Sequence, residues 1–404
     1  MVNVGIDLHK TQFTICVRSR SGDKFEQYPT TENGYEAFLK KASSWQKKGE
    51  EVRVGVESTG NTRYFKRRME EAGIGVTVIN TMKFKVVNES VKKTDKHDAS
   101  TIAEFLEKDM LPESLLCSQE SEQLRRLLKV RTMLVRTVTG IKNQIHAIFT
   151  SEGQEDVKSA SLQSKRGRKQ VLNALNKCKN GLEAQTLIQT IEQLEQNVKV
   201  IEDRLRTLVL GDRMVELLMS IPGCGEISAW TIRAYTDDIK RFSSVKRYAS
   251  FAGLAPWVQN SNETIHHGSI TKRGPKELRT ALVQIVMGLR RMKKKTFTWR
   301  LMQRYEAMKK SKGSGKSIIA AARKMAVIIW QMLTKDVEFD LGIMVDQKLA
   351  NNAESMRGTM HVVEDALIES QKKPATKADK KKGDGVRKVV KSAGVASKKI
   401  KKVG

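Results

Sequence analysis

A chain of 404 residues is more than one ordinary hydrophobic core organises, so two or three domains are expected, and a mean hydropathy of -0.45 excludes a membrane-embedded protein. The formal net charge is +29 with a pI near 9.9; the last 34 residues carry +11 of it, so the rest of the chain is basic in its own right and calls for a polyanionic partner, nucleic acid first. Four scattered cysteines without a C-x-x-C pair exclude a disulfide framework and a thiolate zinc site, and they fit a reducing compartment such as the cytoplasm.

The opening "MVNVGIDLHK" reads as a strand, not a signal peptide, and "TQFTICV" and "KFEQYPT" read as a second and third strand. An amphipathic segment follows ("GYEAFLKKASSW"), then a strand at 52–58 ("VRVGVES"), a helix at 61–73, a strand at 74–80 and a helix opened by Thr94. Strands alternating with helices predict a mixed α/β domain over 1–115. Over 116–210 the pattern changes. Leu124, Leu127, Leu134, Val138, Ile141, Ile145 and Ile148 fall on a heptad stripe broken once by Arg131, and Leu187, Ile191, Leu194, Val198, Ile201, Leu205 and Leu208 form a second. Two coiled-coil helices are expected there, joined by the polar connection "SEGQEDVKSASLQSKRGRKQ". They would pair either within the chain or between subunits. Residues 211–345 read as a mainly α domain with loops at "SIPGCGE" and "APWVQNSNETIHHGSITKRGP". The lysine-rich remainder, 346–404, lacks the apolar content to fold and is expected to be disordered. The longest apolar runs, such as "MAVIIW", are too short to cross a bilayer.

Chemistry concentrates in acids at element ends. Asp7 ends the first strand, Glu57 ends the strand at 52–58, and Asp95 and Asp98 share one face of a helix start inside the otherwise cationic "VKKTDKHDASTIAEF". Alone, each has an ordinary use as a strand end or a helix-start acid. Together they would supply the hard oxygen donors that Mg2+ prefers, as a site working on a phosphodiester requires.

"GID", "VGVESTG" and "KTDKHDA", followed by "SIPGCGEISAWTIRAYTDDIKRF" and "RYASFAGLAP", resemble the insertion-sequence transposases with a RuvC-like Asp-Glu-Asp-Asp domain, relatives of the Piv-type DNA invertases. The likeness runs over about residues 2–340. It implies a ribonuclease-H-like sheet on which Asp7, Glu57, Asp95 and Asp98 hold Mg2+, and a C-terminal transposase domain in which Ser261, in the loop after "FAGLAP", is the nucleophile. Ser269 and Thr271 compete within the same loop, and His266 and His267 are candidates for proton transfer. It further implies double-stranded DNA as substrate, a homo-oligomer of tetrameric type, and a structured guide (bridge) RNA encoded beside the gene.

"SIPGCGE" resembles a DNA-binding hairpin in which Gly223 and Gly225 let backbone amides reach a phosphate, although a plain glycine turn between helices reads equally well. Lys272, Arg273 and Lys276 in "ITKRGPKELR" are candidates for backbone contacts, and the tail lysines would add salt-sensitive affinity without readout. Two alternatives stay open: a junction-resolving nuclease that shares the carboxylates but forms no covalent link, and a non-catalytic nucleic-acid-binding protein. A sugar-kinase-like ATPase is disfavoured because later glycine-rich nucleotide loops are missing.

Overall fold

The computed structural model describes residues 1–18, 22–87, 94–151, 153, 162–175, 181–261 and 264–344; at 85–87, 174–175, 259–261, 264–267, 294 and 343–344 it describes the backbone alone. The lysine-rich tail expected to be disordered lies outside the described residues, as do Lys92, Lys93 and Cys178. The chain divides into two units, Met1–Ser118 and Gln119–Gly404.

The first unit carries β1 (Val2–Leu8), β2 (Gln12–Arg18), β3 (Lys24–Pro29), α1 (Glu32–Gln46), β4 (Val52–Glu57), α2 (Thr62–Glu70), β5 (Gly75–Ile79), α3 (Thr81–Val87) and α4 (Asp95–Glu107). The sheet order is β3-β2-β1-β4-β5, with β3–β2 and β2–β1 antiparallel and β1–β4 and β4–β5 parallel. Period-two alternation sorts the strands. Val4, Ile6 and Leu8 of β1 and Val54 and Val56 of β4 join Phe38 of α1 and Phe65 and Met69 of α2 in one buried core. On the opposite face Cys16 meets Ala99 and Ala103 of α4, a small-residue contact that lets this helix lie close to the sheet. Helix α3 lies between the strand at 74–80 and the helix opened by Thr94; its Phe84 makes an edge-on ring contact with Phe105 of α4.

The second unit is mostly helical. Its long α5 (Gln119–Ser151), α6 (Lys165–Leu175) and α7 (Gly181–Leu208) are followed by α8 (Arg213–Met219), α9 (Glu226–Thr236), a 3-10 turn at Ile239–Arg241 and α10 (Val245–Phe251). Then come β6 (Pro256–Ser261), β7 (Thr264–Ile270), α11 (Lys276–Arg291), α12 (Lys293–Thr296), α13 (Arg300–Lys335) and α14 (Leu341–Met344). A single core gathers α8 to α11 and α13 around Trp230, Tyr248 and Tyr305, with the Tyr248 hydroxyl 2.9 Å from Thr236 Oγ1.

The two heptad stripes face each other within the chain. Val138, Ile141, Ile145 and Phe149 of α5 pack on Ala184, Ile188 and Ile191 of α7 at one end of the pair, while Leu124, Leu128 and Leu205 join the main core at the other. Arg131, the single break in the stripe, donates Nε to Glu202 Oε1 across the pair at 2.7 Å. A polar group at a seam position permits only the pairing that satisfies it.

Two expectations are corrected. The connection after α5 is in part helix: Arg168 of α6, 3% exposed, forks onto both carboxylate oxygens of Glu195 at 2.6 and 2.7 Å and anchors the segment on α7. The expected loop after "FAGLAP" is a two-stranded antiparallel hairpin, so this unit is not helical throughout. Helix α13 is long and apolar enough to cross a membrane by length and composition alone. Its Ala321, Met325 and Ile329 are nevertheless spent on the core, and Gly313 (φ 79°) breaks the helix.

Candidate active site

In the sheet of the first unit, β1 and β4 run in parallel with Gly5 opposite Gly55 and Ile6 opposite Val56. Alternation therefore places Asp7 on the face of Gly5, and Glu57 on the face of Gly55. On that face α4 rests on bare backbone. A Cβ at Gly5 would fall 2.1 Å from the Ala99 carbonyl oxygen, and one at Gly55 would fall 2.9 Å from both Ile102 Cγ2 and Leu111 Cδ1. A glycine two residues before each acid thus lets the helix lie close to the sheet, and Asp7 stands near Asp95 at the start of the helix.

That start is fixed by Thr94, whose backbone is extended and whose Oγ1 accepts from His97 N. Asp95 and Asp98 occupy the first turn, where the exposed amide dipoles favour negative charge. His9 completes the cluster. Its Nε2 lies 3.0 Å from Asp7 Oδ2 and 3.6 Å from Asp95 Oδ1, and the donor atoms of Asp7, His9 and Asp95 all lie within 4.8 Å of one another. When Asp7 is ionised, its carboxylate accepts this contact from Nε2–H.

Asp7 is buried, whereas Asp95 and His9 are about half open to solvent. Burial lifts the Asp7 carboxyl above its ordinary range, the charges of Asp95 and Asp98 add to the lift, and His9 opposes it. Acidic groups held this close repel one another, and a divalent cation would relieve the repulsion. The carboxylate oxygens are the hard donors that suit Mg2+ or Mn2+, while His9 turns its Nε2 to Asp7. Glu57 ends the adjacent strand on the same face, half-buried, but it is not among the three donors that cluster.

The frame around the cluster is tied by side chains. Asn61 Nδ2 donates to the His9 carbonyl at 2.9 Å, and Thr62 Oγ1 donates to the Glu57 carbonyl at 2.7 Å while accepting from Thr59 N at 2.7 Å. Sequence reasoning missed His9 and Asn61. "DLH" held a signal for the first, since a histidine two residues beyond a strand-end acid can turn back onto it.

In the second unit Ser261 ends β6, its backbone paired with Thr264, and its hydroxyl lies outside the described atoms, as do the imidazoles of His266 and His267. Lys272, Arg273 and Lys276 are exposed around the turn into α11, with Lys272 in the left-handed region (φ 53°). Gly223 (φ 83°) has a packing role: a Cβ there would meet Leu289 N at 3.1 Å and Ile285 O at 3.2 Å, so the glycine turn fits tightly against α11. Gly225 is exposed and caps α9 without a side-chain bond.

Comparison with known proteins matches two stretches of the chain. Residues 4–152 match the family model described as a transposase of the IS110 type with a DEDD domain, and residues 215–300 match the model described as "Transposase IS116/IS110/IS902 family". Together these matches span more than half of the chain. A probable family 20 transposase of Pseudomonas aeruginosa is 25% identical over 70% of this chain and 84% of its own length. The transposase for insertion sequence element IS1111A of Coxiella burnetii is 26% identical over 72% and 79%. The pilin gene-inverting protein of Moraxella bovis is 23% identical over 83% and 97%. With both of its units matched in order, the chain belongs to the IS116/IS110/IS902 family of transposases.

Proposed function

We propose that the chain is a magnesium-dependent DNA strand transferase of a mobile element that cuts and rejoins DNA through a phosphoserine link formed by Ser261. The observation that carries this reading is the gathering of Asp7 and Asp95 with His9 at the carboxyl end of β1, with Asp98 close enough to act on Asp7 and Glu57 on the same face. The order β3-β2-β1-β4-β5, three antiparallel strands extended by two parallel ones, supports a RuvC-like, ribonuclease-H-like domain.

Mg2+ would be held by Asp7, Asp95, Asp98 and Glu57, and when bound it supplies Lewis-acid stabilisation of charge on a phosphodiester. His9 keeps Asp7 oriented through its Nε2–H. Ser261 Oγ forms a bond to phosphorus as the bond from phosphorus to one deoxyribose oxygen breaks. The serine proton passes to solvent and the released sugar oxygen takes one up. The phosphodiester becomes a phosphoserine diester of similar energy, so reversal with a new strand rejoins DNA without ATP.

Lys272, Arg273, Lys276 and the amides near Gly225 would hold the DNA backbone. A homo-oligomer of tetrameric type and a structured guide RNA follow from the family likeness. The excess of cations suits both nucleic acids.

The decisive experiment measures strand exchange on DNA carrying the element ends, with and without Mg2+, alongside recovery of a protein–DNA adduct from a denaturing gel. Asp7→Asn and Ser261→Ala are each expected to abolish exchange, and Ser261→Ala to remove the adduct. If cleavage survives Ser261→Ala but not Asp7→Asn, the chain is a metal-dependent nuclease without a covalent step.

A further inference from the structure

The hairpin of β6 and β7 is poorly held by burial. Trp257 and Val258 are about half exposed, and of its described side chains only Ile270, at the base, packs on the main core. A two-stranded ribbon in water is marginal by itself, so its footing decides where its far end points. That footing is a layer of backbone contacts. Thr271 N donates to the Ala255 carbonyl at 2.9 Å and Lys272 N to the Gly253 carbonyl at 3.2 Å, which closes the base across both legs.

Arg279, in the first turn of α11, spans the same base. Its Nη1 donates to the Ala252 carbonyl at 3.1 Å and to the Lys272 carbonyl at 3.4 Å, so one guanidinium touches the leg entering β6 and the leg leaving β7. The backbone is shaped to admit it. Gly253 (φ 69°) would, with a Cβ, approach both Arg279 Nη1 and the Arg273 carbonyl to 2.5 Å, and Gly274 (φ 103°) would bring a Cβ to 1.9 Å from the Phe251 carbonyl. The rest of α11 does not need Arg279, because Leu278, Leu282, Ile285 and Leu289 seat the helix in the core.

We propose that Arg279 is a positioning residue for strand transfer: it ties the two legs of the β6–β7 hairpin and so fixes where Ser261 is presented to the DNA. The assignment rests on Ser261 being the nucleophile. Arg279 acts through the backbone and does not touch the reacting atoms.

The test compares full-length wild type with Arg279→Ala and Arg279→Lys, the latter keeping the charge but losing the planar fork. DNA carrying the element ends is the probe, and three quantities are read: the single-turnover rate of adduct formation, the dissociation constant for that DNA, and hydrogen exchange at backbone amides. Both variants are expected to slow adduct formation by about 100-fold, the scale of a misplacement of about 1 Å. Binding should stay within about twofold of wild type, and the amides of Thr271 and Lys272 should exchange faster while those of Leu282 and Ile285 do not change. The proposal is overturned if adduct formation stays at the wild-type rate, if the Thr271 and Lys272 amides keep their protection, or if Arg279→Lys loses DNA binding as much as rate. Failure of the serine reading looks different: wild type itself then cleaves without ever forming an adduct, and the proposal falls with it. Should Arg279→Ala not fold, Arg279→Lys alone decides.

Discussion

The two units bring backbone against backbone with glycine in different ways. In the first, Gly5 and Gly55 are ordinary strand residues, register partners whose missing side chains let α4 lie close and put Asp7 near its first turn. In the second, Gly253 and Gly274 sit in the left-handed region, where they let a turn fold against a helix end under an arginine. Chemistry built on regular elements needs only alternation to aim it, whereas a hairpin that leaves the core needs a dedicated fastening.

The sharpest way to break this comparison is Gly5→Ala. Its Cβ would collide with backbone at Ala99 and Ala103, which cannot yield as a side chain can. We expect a loss of about 3 kcal/mol or more, read as a fall in thermal midpoint, together with loss of strand exchange. Gly49→Ala, a positive-φ glycine with open space around it, should cost clearly less.

Next in size is Asp7→Asn. Affinity for Mg2+ should fall by more than about 100-fold, since even outer partners of a metal ligand are worth 10–100-fold. The metal-free protein should melt higher at neutral pH, because burial makes the ionised Asp7 carboxylate a cost to the fold. Calorimetry with and without Mg2+ reads both effects, and an unchanged affinity would remove Asp7 from the site.

A pH series sharpens the same point. The folded-state pKa of Asp7 is raised above 3.8, so the metal-free fold binds more protons than the unfolded chain in the interval above that value. Its contribution to stability is present below about 3.8 and is lost as pH rises through the folded pKa. A cation competes with that proton. The rise in melting temperature on adding Mg2+ should therefore grow as pH increases from about 4 toward 7, and a shift independent of pH would contradict it.

The smallest effect concerns the helical pair. Removing one partner of Arg131–Glu202, as in Glu202→Gln, should cost about 1 kcal/mol, while Arg131→Leu with Glu202→Leu should be neutral or stabilising but loosen the register. Chemical denaturation and cross-linking between α5 and α7 would separate these outcomes.

The strands and helices of the first unit were legible because alternation and helical period are strong there, and Thr94 with two nearby acids announces a helix start. His9 was legible in principle and overlooked. The β6–β7 hairpin was not, since "PWVQNS" and "TIHHGSI" carry no apolar alternation for a ribbon that buries little. Helix α6 hid behind its cations, with Arg168 used as a buried anchor against the usual preference of that residue for solvent. The reach of Arg279 to two carbonyls cannot be inferred from spacing, because it depends on where three chain segments meet.

The pairing of Gly5 with Gly55 also bears on how copies of such an element decay. Slipping either strand by one residue would drive its acid into hydrocarbon and push a valine or isoleucine under α4, so a frame-preserving slip destroys the whole unit. Point changes at the acids leave the sheet intact. Folded but silent copies of the gene should therefore carry altered carboxylates between unaltered glycines.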